Sequence, residues 1–439
     1  DEVGIKFGPN YERVFVVDKN ATQIRLMAYC AYIENQNIES LTILRSGHRN
    51  MLTANNGSVV AKAWKGDLYP EGTPPANLED LYKDGSNNLQ VIDANSMEYK
   101  DQWQFNHLCL LKEGCEENPF SNGLAGNWRF YKSYKYTTSR NYNGVNTNQS
   151  DGVYADFQQF NWSTPSSSSA KWILANEVTR YSPHGFETEN RDALGNYSSA
   201  RYGYDNSLNM AVAYNAREME IGVNDFEYYS TLECVNHFVF DKPTTAVCGI
   251  EYNDAHTGSQ SFFVNNNPSN SYPGHFAEVI PANDPMLVTG FEPTETENLK
   301  LIKGKKYIVS AWVKQIGIPA TVQYTNYTSP YIGIIFYDNG LPTTAYTLFP
   351  EGNIIEGWQR IEAEIWLENG ATAITDLEIR LGMAAVTDVN NVLFDDVRIY
   401  PADANMKTFV YNNVSLKLAA ELDQNNYATF YIYDEQGMM

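Results

Sequence analysis

The chain has 439 residues, 43% hydrophobic and only 19% charged, which supplies enough apolar material for roughly two or three folded domains and excludes a disordered chain. Its 53 acidic residues outnumber 31 Lys and Arg, for a formal charge of −22, and no basic stripe is present to neutralise phosphates, so nucleic acid is excluded as a partner. No apolar stretch is long enough to span a bilayer as a helix, so membrane insertion is not expected either.

Aromatic residues make up 13% of the chain, led by 31 Tyr, a balance that favours half-wet β surfaces and secreted proteins. Residues 1–125 alternate in short strand-like runs such as RVFVV (13–17), TQIRLMAYCAYI (22–33) and SVVAKAW (58–64), punctuated by Asn-Gly, Pro-Glu-Gly and Asp-Gly-Ser turns. Residues 126–247 form a polar connector rich in Tyr, Asn and Ser. Within it, LNMAVAYNAREMEIGV (208–223) predicts a helix whose face is Met210, Val212, Ala213, Ala216 and Met219, ending at Gly222.

From 248 to 403 the alternation returns in QSFFV (260–264), KYIVSAWVK (306–314), YIGIIFY (331–337), QRIEAEIWL (359–367), DLEIRLG (376–382) and NVLFDDVRIY (391–400). Short strands at regular spacing with Gly, Asn and Pro turns predict a sandwich or jelly roll. A last unit, 404–439, holds two Tyr-ended strands, MKTFVYN and NYATFYIYD, around LDQNN. The expected fold is therefore mainly β and multi-domain, with a β-rich N-terminal region and a jelly-roll β-sandwich in the C-terminal half.

Four segments in order, AHTGSQSFFV (255–264), KGKKYIVSAWVK (303–314), GWQRIEAEIW (357–366) and VLFDDVRIYP (392–401), resemble the carbohydrate-binding modules found beside cellulases and xylanases. The resemblance implies a glycan-binding face with aromatic platforms. Candidates are Trp312, Tyr324, Tyr327, Tyr331, Tyr337 and Trp366, with Trp312, Tyr337 and Trp366 leading; alternation puts Trp312 on a mixed, wetter face with Ile308, Ser310 and Lys314. Period two also groups Leu393, Asp395, Val397 and Ile399 on one face, where an acid among aliphatics needs a partner. The resemblance implies a structural Ca²⁺ beside this strand, held by Asp395 or Asp396 with an oxygen-rich partner between Glu251 and His256. The other expectation for these acids is hydrogen bonding to backbone amides without metal.

The tail (406–437) and the middle segments NPFSNGLAGNWRFYKSYKY (118–136), EVTRYSPHGFETENRDALGNYSSARYGYDN (177–206) and AVAYNARE (211–218) resemble large secreted surface proteins of Bacteroidetes-type bacteria. In these a jelly roll leads into RHS or YD-type repeats. That resemblance implies a bacterial cell-surface or extracellular location and type IX export. The partners it implies are polysaccharide, other surface or secretion proteins, and the rest of a longer chain. The opening DEVGIKF, without Met or leader, and the stop inside a strand pattern lead to the expectation of an excised fragment.

Catalytic signatures are missing. The histidines at 48, 107, 184, 237, 256 and 275 form no HExxH, and no GxSxG, GxxxxGK[ST] or GxGxxG occurs. None of the five cysteines forms a CxxC; Cys109 with Cys115 and Cys234 with Cys248 are spaced for local disulfides, with Cys30 left over, and reduced, buried thiols are the other expectation. His107, Cys109 and Cys115 could also ligate metal. The polar run Glu177, Arg180, His184, Glu187, Glu189, Arg191 and Asp192 reads either as a pocket lining or as a salt-bridged connector, the latter favoured. The expectation is a non-catalytic, structural or adhesive extracellular segment that binds glycan through its jelly roll. The alternatives are the lead-in of an RHS-type toxin and a glycan-active enzyme with a targeting module.

Overall fold

The structure is a computed structural model and describes residues 41–45, 57–61, 93–101, 103, 126–141, 153–154, 158, 160–164, 170–182, 184–204, 207–228, 238–240, 247–266, 272–283, 299–317, 325–369, 374–385, 389–434 and 437. Cys30, Cys109, Cys115, Cys234, His48, His107, His237 and Tyr324 lie outside the described residues. Among the described residues every regular element is a strand except one 3₁₀ turn, Glu218–Glu220, and no helix is long and apolar enough to cross a membrane. The mainly β expectation holds.

The chain divides into two compact units, one of residues 1–100 and 130–175, the other of 101–129 and 176–439. The first unit contains β1 (Leu41–Arg45), β2 (Gly57–Ala61), β3 (Asn95–Lys100), most of β4 (Arg129–Tyr136), β5 (Arg140–Asn141), β6 (Val153–Tyr154) and the start of β7 (Trp172–Tyr181). Its core is aromatic: Trp172 meets Tyr136 and Phe160 edge-on, each at a centroid separation of 5.1 Å, and its indole N–H donates to the Gln158 carbonyl. Rings suit such a small core because each buries a large area and packs edge to face.

In the second unit, the rest of β7 joins β8 (Glu187–Asp192), β9 (Tyr197–Gly203) and β10 (Leu208–Tyr214) in an antiparallel sheet. The chain then runs through β11 (Gly222–Asn224), β12 (Cys248–Glu251), β13 (Ser261–Asn265), β14 (Gly274–Ile280), β15 (Lys300–Ile302), β16 (Lys306–Ile316), β17 (Pro330–Asp338), β18 (Leu341–Leu348), β19 (Gln359–Trp366), β20 (Asp376–Met383) and β21 (Asn391–Pro401). The last strands, β22 (Asn405–Tyr411), β23 (Leu418–Leu422) and β24 (Ala428–Phe430), return to the first sheet, β22 pairing with β10.

The middle strands make the sandwich. One sheet runs β12-β13-β21-β16-β19, with β11 also on β21; the other runs β15-β14-β20-β17-β18. All pairs are antiparallel except β14 with β15. Val309, Phe394 and Ile399 of the first sheet share one core with Ile334, Ile379 and Leu381 of the second, so the sheets pack face to face as a jelly-roll sandwich requires. β11 joins this sandwich from outside the 248–403 span.

Two predicted local features are corrected. The segment 208–223 is a strand, a 3₁₀ turn and a second strand, not a helix. A bulge between Asn209 and Ala211 breaks period two, so buried Met210, Ala211 and Ala213 mimic helical spacing, while flanking β9 and β22 supply the backbone partners. On β21, the pairing with β16 shifts between Ser310 and Trp312, and Asp396 takes a positive φ of 49°. This bulge flips the alternation: Val392 and Phe394 face the core before it and Val397 and Ile399 after it, whereas Leu393 packs with Trp312 and Trp358 on the opposite side. Leu393, Asp395, Val397 and Ile399 therefore do not share a face.

Candidate functional site

The three leading aromatic candidates stand on two different faces. Trp312 and Trp366 both belong to the β16–β19 pair, opposite Arg360 and Lys306 respectively. Trp312 is only 2% exposed, which corrects the wetter-face expectation. Its indole N–H donates to the Asn426 carbonyl at 2.6 Å, and His256 stacks on it at 4.2 Å. The Asp423–Asn426 turn of the tail covers this face, its carbonyls accepting hydrogen bonds from Arg398, Arg360 and Tyr400. Trp366 lies near the end of edge strand β19 and is about half exposed, while Tyr327 is buried and donates to the Gly357 carbonyl.

Tyr337 stands on the other sheet, where the outward residues of β14, β17 and β20 form an open aromatic face. Ile332, Ile334 and Phe336 point into the core, so alternation turns Tyr331, Gly333, Ile335 and Tyr337 outward. Across the strands, Gly333 and Gly274 flank Arg380, Ile335 and Phe276 flank Glu378, and Tyr331 is opposite Gly382. The Tyr331 ring occupies the space above Gly382, since a Cβ added there would meet the ring at 2.1 Å. Tyr272 and Phe349 each lie 6.0 Å from Tyr331, and at the other end Phe276 lies 5.4 Å from Tyr337.

Between these two aromatic groups, the Arg380 Nε and Nη2 atoms donate to the two Glu378 carboxylate oxygens, each at 2.9 Å, and the Tyr337 hydroxyl donates to the same carboxylate at 2.6 Å. Burial acts to lower the Arg380 pKa, but the Glu378 carboxylate outweighs it and holds the guanidinium above its ordinary value. Burial and then the hydrogen bond to Glu378 raise the Tyr337 hydroxyl. The result is a charge-balanced polar centre flanked by ring faces, able to stack on the C–H faces of a sugar and bond its hydroxyls. Tyr331, Arg380 and Glu378 complete this arrangement; the outward period of YIGIIFY and DLEIRLG was the sequence signal for them.

The acidic candidates form a second centre at the β21 bulge. The buried Asp395 accepts the backbone N–H groups of His256 and Thr257 at 2.7 and 3.2 Å, and Asp396 accepts the Thr257 hydroxyl at 2.8 Å and meets the His256 Nδ1 at 2.7 Å. Glu251 is not drawn in; it caps its own turn by accepting the N–H groups of Tyr252 and Asn253. Two acids that the motif reading missed join instead. Glu227 accepts the Ser259 N–H and hydroxyl and the Gln260 N–H, packed so closely that a Cβ on Gly258 would meet its carboxylate at 2.4 Å. Asp225, 3% exposed, leaves its Oδ2 without a hydrogen-bond partner among the described residues.

Burial, then the neighbouring Glu227 and Asp396 charges, push the Asp225 carboxyl up to about 8. Burial and then Asp396 raise Asp395 as well, and Glu227 is raised chiefly by burial. Such mutually repelling, desolvated carboxylates suit a hard cation that takes oxygen ligands, although among the described residues no three His, Cys, Asp or Glu side chains already stand in a metal-holding arrangement.

The polar run at 177–192 forms ion pairs. Glu177 pairs with Arg191, Glu189 with Arg217, and Glu218 with both Arg180 and Arg201. His184 stands exposed, and Asp192 accepts the N–H groups of Leu194 and Asn196 in its own turn.

No family model and no curated protein matches the chain. Among solved structures it is similar to the CBM22-1 xylan-binding domain of Paenibacillus barcinonensis Xyn10C, at 12% identity over 41% of this chain and 92% of that one, with a TM-score of 0.25. The CBM22-2 xylan-binding domain of the same protein is 17% identical over 41% and 99% of the two chains, with a TM-score of 0.25. A cyclase from Fischerella sp. TAU is 12% identical over 41% and 83%, with a TM-score of 0.23. These are partial likenesses; the sandwich fold of this chain stands on its own strand order and shared core.

Proposed function

We propose that this chain is a non-catalytic, extracellular glycan-binding segment of a large cell-surface protein, and that the outer face of β14, β17 and β20 is where glycan binds. The observation carrying this reading is the Arg380–Glu378–Tyr337 centre set between two groups of partly exposed rings. Its charges are internally balanced, which suits a neutral, hydroxyl-rich ligand. Type IX export and kinship with YD-type repeats belong to the same proposal and rest on the sequence resemblance; the tail itself is an antiparallel β22–β23–β24 arrangement. A structural Ca²⁺ beside the β21 bulge belongs to the same proposal, supported by the buried Asp225 Oδ2 that lacks a hydrogen-bond partner among the described residues; the ion would offset the charge gathered there.

Affinity electrophoresis of the full chain through gels containing neutral polysaccharides tests the binding face. Tyr331→Ala and Tyr337→Ala are each expected to weaken retardation about tenfold, the order of one lost ring contact, while Trp366→Ala leaves it unchanged. Full retention in both Tyr variants would remove glycan from this face, and no retardation of the native chain by any polymer would end the glycan reading.

A further inference from the structure

Outside the sandwich, the β8-β9-β10-β22 sheet carries a groove of about 520 Å³. Its floor and walls come from cross-strand rows. Asn190, Ser198, Tyr214 and Asn405 are successive partners across the four strands, and Ala200, Val212 and Lys407 form the next row. Cross-strand partners share a face, so these residues lie together, while Ala213 and Met406 point the other way into a buried cluster with Ile221 and Tyr400. Small side chains in the middle leave the hollow open. Tyr214, 52% exposed, lines it, and one row beyond Ala200, on the same face of β9, Tyr202 stacks on the exposed Phe186 at 5.0 Å. Along β9, Ser198 and Tyr202 are separated by about 13 Å, room for a short run of sugar rings.

Two of the three charged groups lining this groove are ion-paired, Glu189 with Arg217 and Lys407 with Glu421, and Glu187 keeps its charge. Lys407 pairs with Glu421 at 2.7 Å, and Glu187 accepts the Asn190 amide. Besides these, what faces a ligand is hydroxyl, amide and ring, from Thr188, Asn190, Ser198, Asn405 and Tyr214. An anionic polymer would be repelled by a chain of net charge −22, as would a second copy of it. A peptide adding as a strand would need a free strand edge, whereas this hollow crosses strands that are all paired. We propose that the groove is a second saccharide-binding site, for a neutral polysaccharide, separate from the sandwich face and built from a different sheet. Two sites on one chain would hold a polymer by avidity.

The test uses the full chain in affinity gels containing soluble β-glucan or galactomannan, with thermal melting as the folding check. A Tyr331→Ala/Tyr337→Ala double variant is expected to keep residual retardation, and adding Tyr214→Ala should reduce that residue about tenfold, the order of one lost ring stack. Tyr214→Phe, which keeps the ring, should restore it. Complete loss of retardation in the double variant alone, or no effect of Tyr214→Ala in its background, overturns the second site and leaves the sandwich reading standing. No retardation of the native chain overturns both.

Discussion

Replacing Trp312 by alanine would open a cavity beneath the tail turn and strand the Asn426 carbonyl that its indole reaches. The expected cost is about 3–5 kcal/mol by urea unfolding, with glycan affinity unchanged once the protein is folded. Tyr331 is the reverse case, a partly exposed ring whose loss should show in binding and little in stability. His275 illustrates a third role. Its ring packs against Phe238 and Phe240, and burial pushes its pKa from 6.5 down to about 4 despite the hydrogen bond to the Val239 carbonyl. The unfolded chain therefore takes up this proton first as pH falls. The stability His275 contributes is complete above 6.5 and lost between 6.5 and 4, an effect of about 3 kcal/mol. Urea midpoints at pH 7 and pH 4.5 should converge in His275→Leu relative to the native chain; an equal drop in both proteins would exclude this residue.

At the scale of elements, the short 3₁₀ turn Glu218–Glu220 links the β7–β10 sheet to the sandwich. Glu218 holds Arg180 at 2.6 Å and Arg201 at 2.8 Å, and Glu220 holds Lys305 and the Tyr307 hydroxyl, each at 2.7 Å. Glu218→Ala would leave two largely buried guanidinium groups without this partner and is expected to cost about 3–5 kcal/mol. A loss below about 1 kcal/mol in denaturant titrations would reduce the turn to a surface contact. The tail turn is a second link of this kind. Asn426 is fully buried with a φ of 64°, and its amide reaches the Asp396 carbonyl, so the tail turn is packed against the same bulge that gathers the acids.

For the molecule as a whole, the buried carboxylates at that bulge set a measurable balance. If Ca²⁺ neutralises them, millimolar Ca²⁺ should raise the melting temperature relative to EDTA, and Asp225→Asn should abolish most of the difference. Equal melting curves with and without the ion would remove the cation from this account. The strands of the sandwich and its closing FDDV segment were legible in the residue order because hydrophobic alternation is local: a chain can announce which residues want burial. Tyr337 and the acids at 395 and 396 were singled out by motif resemblance, while the alternation that placed Asp395 on one face with Leu393, Val397 and Ile399 failed at the bulge. What alternation could not carry was anything dependent on a partner distant in sequence. The bulge at Asp396 reversed the faces of β21, the tail turn buried Trp312, and pairing with β9 and β22 made a strand of residues whose spacing resembled a helix. Asp225 and Glu227 reach the bulge only through the strand that pairs Gly222–Asn224 with β21. Local periodicity alone determined that this is a β protein with a sandwich in its C-terminal half. Which rings meet solvent and which acids meet one another was decided by tertiary packing, because those contacts are made between segments that no short window of sequence contains.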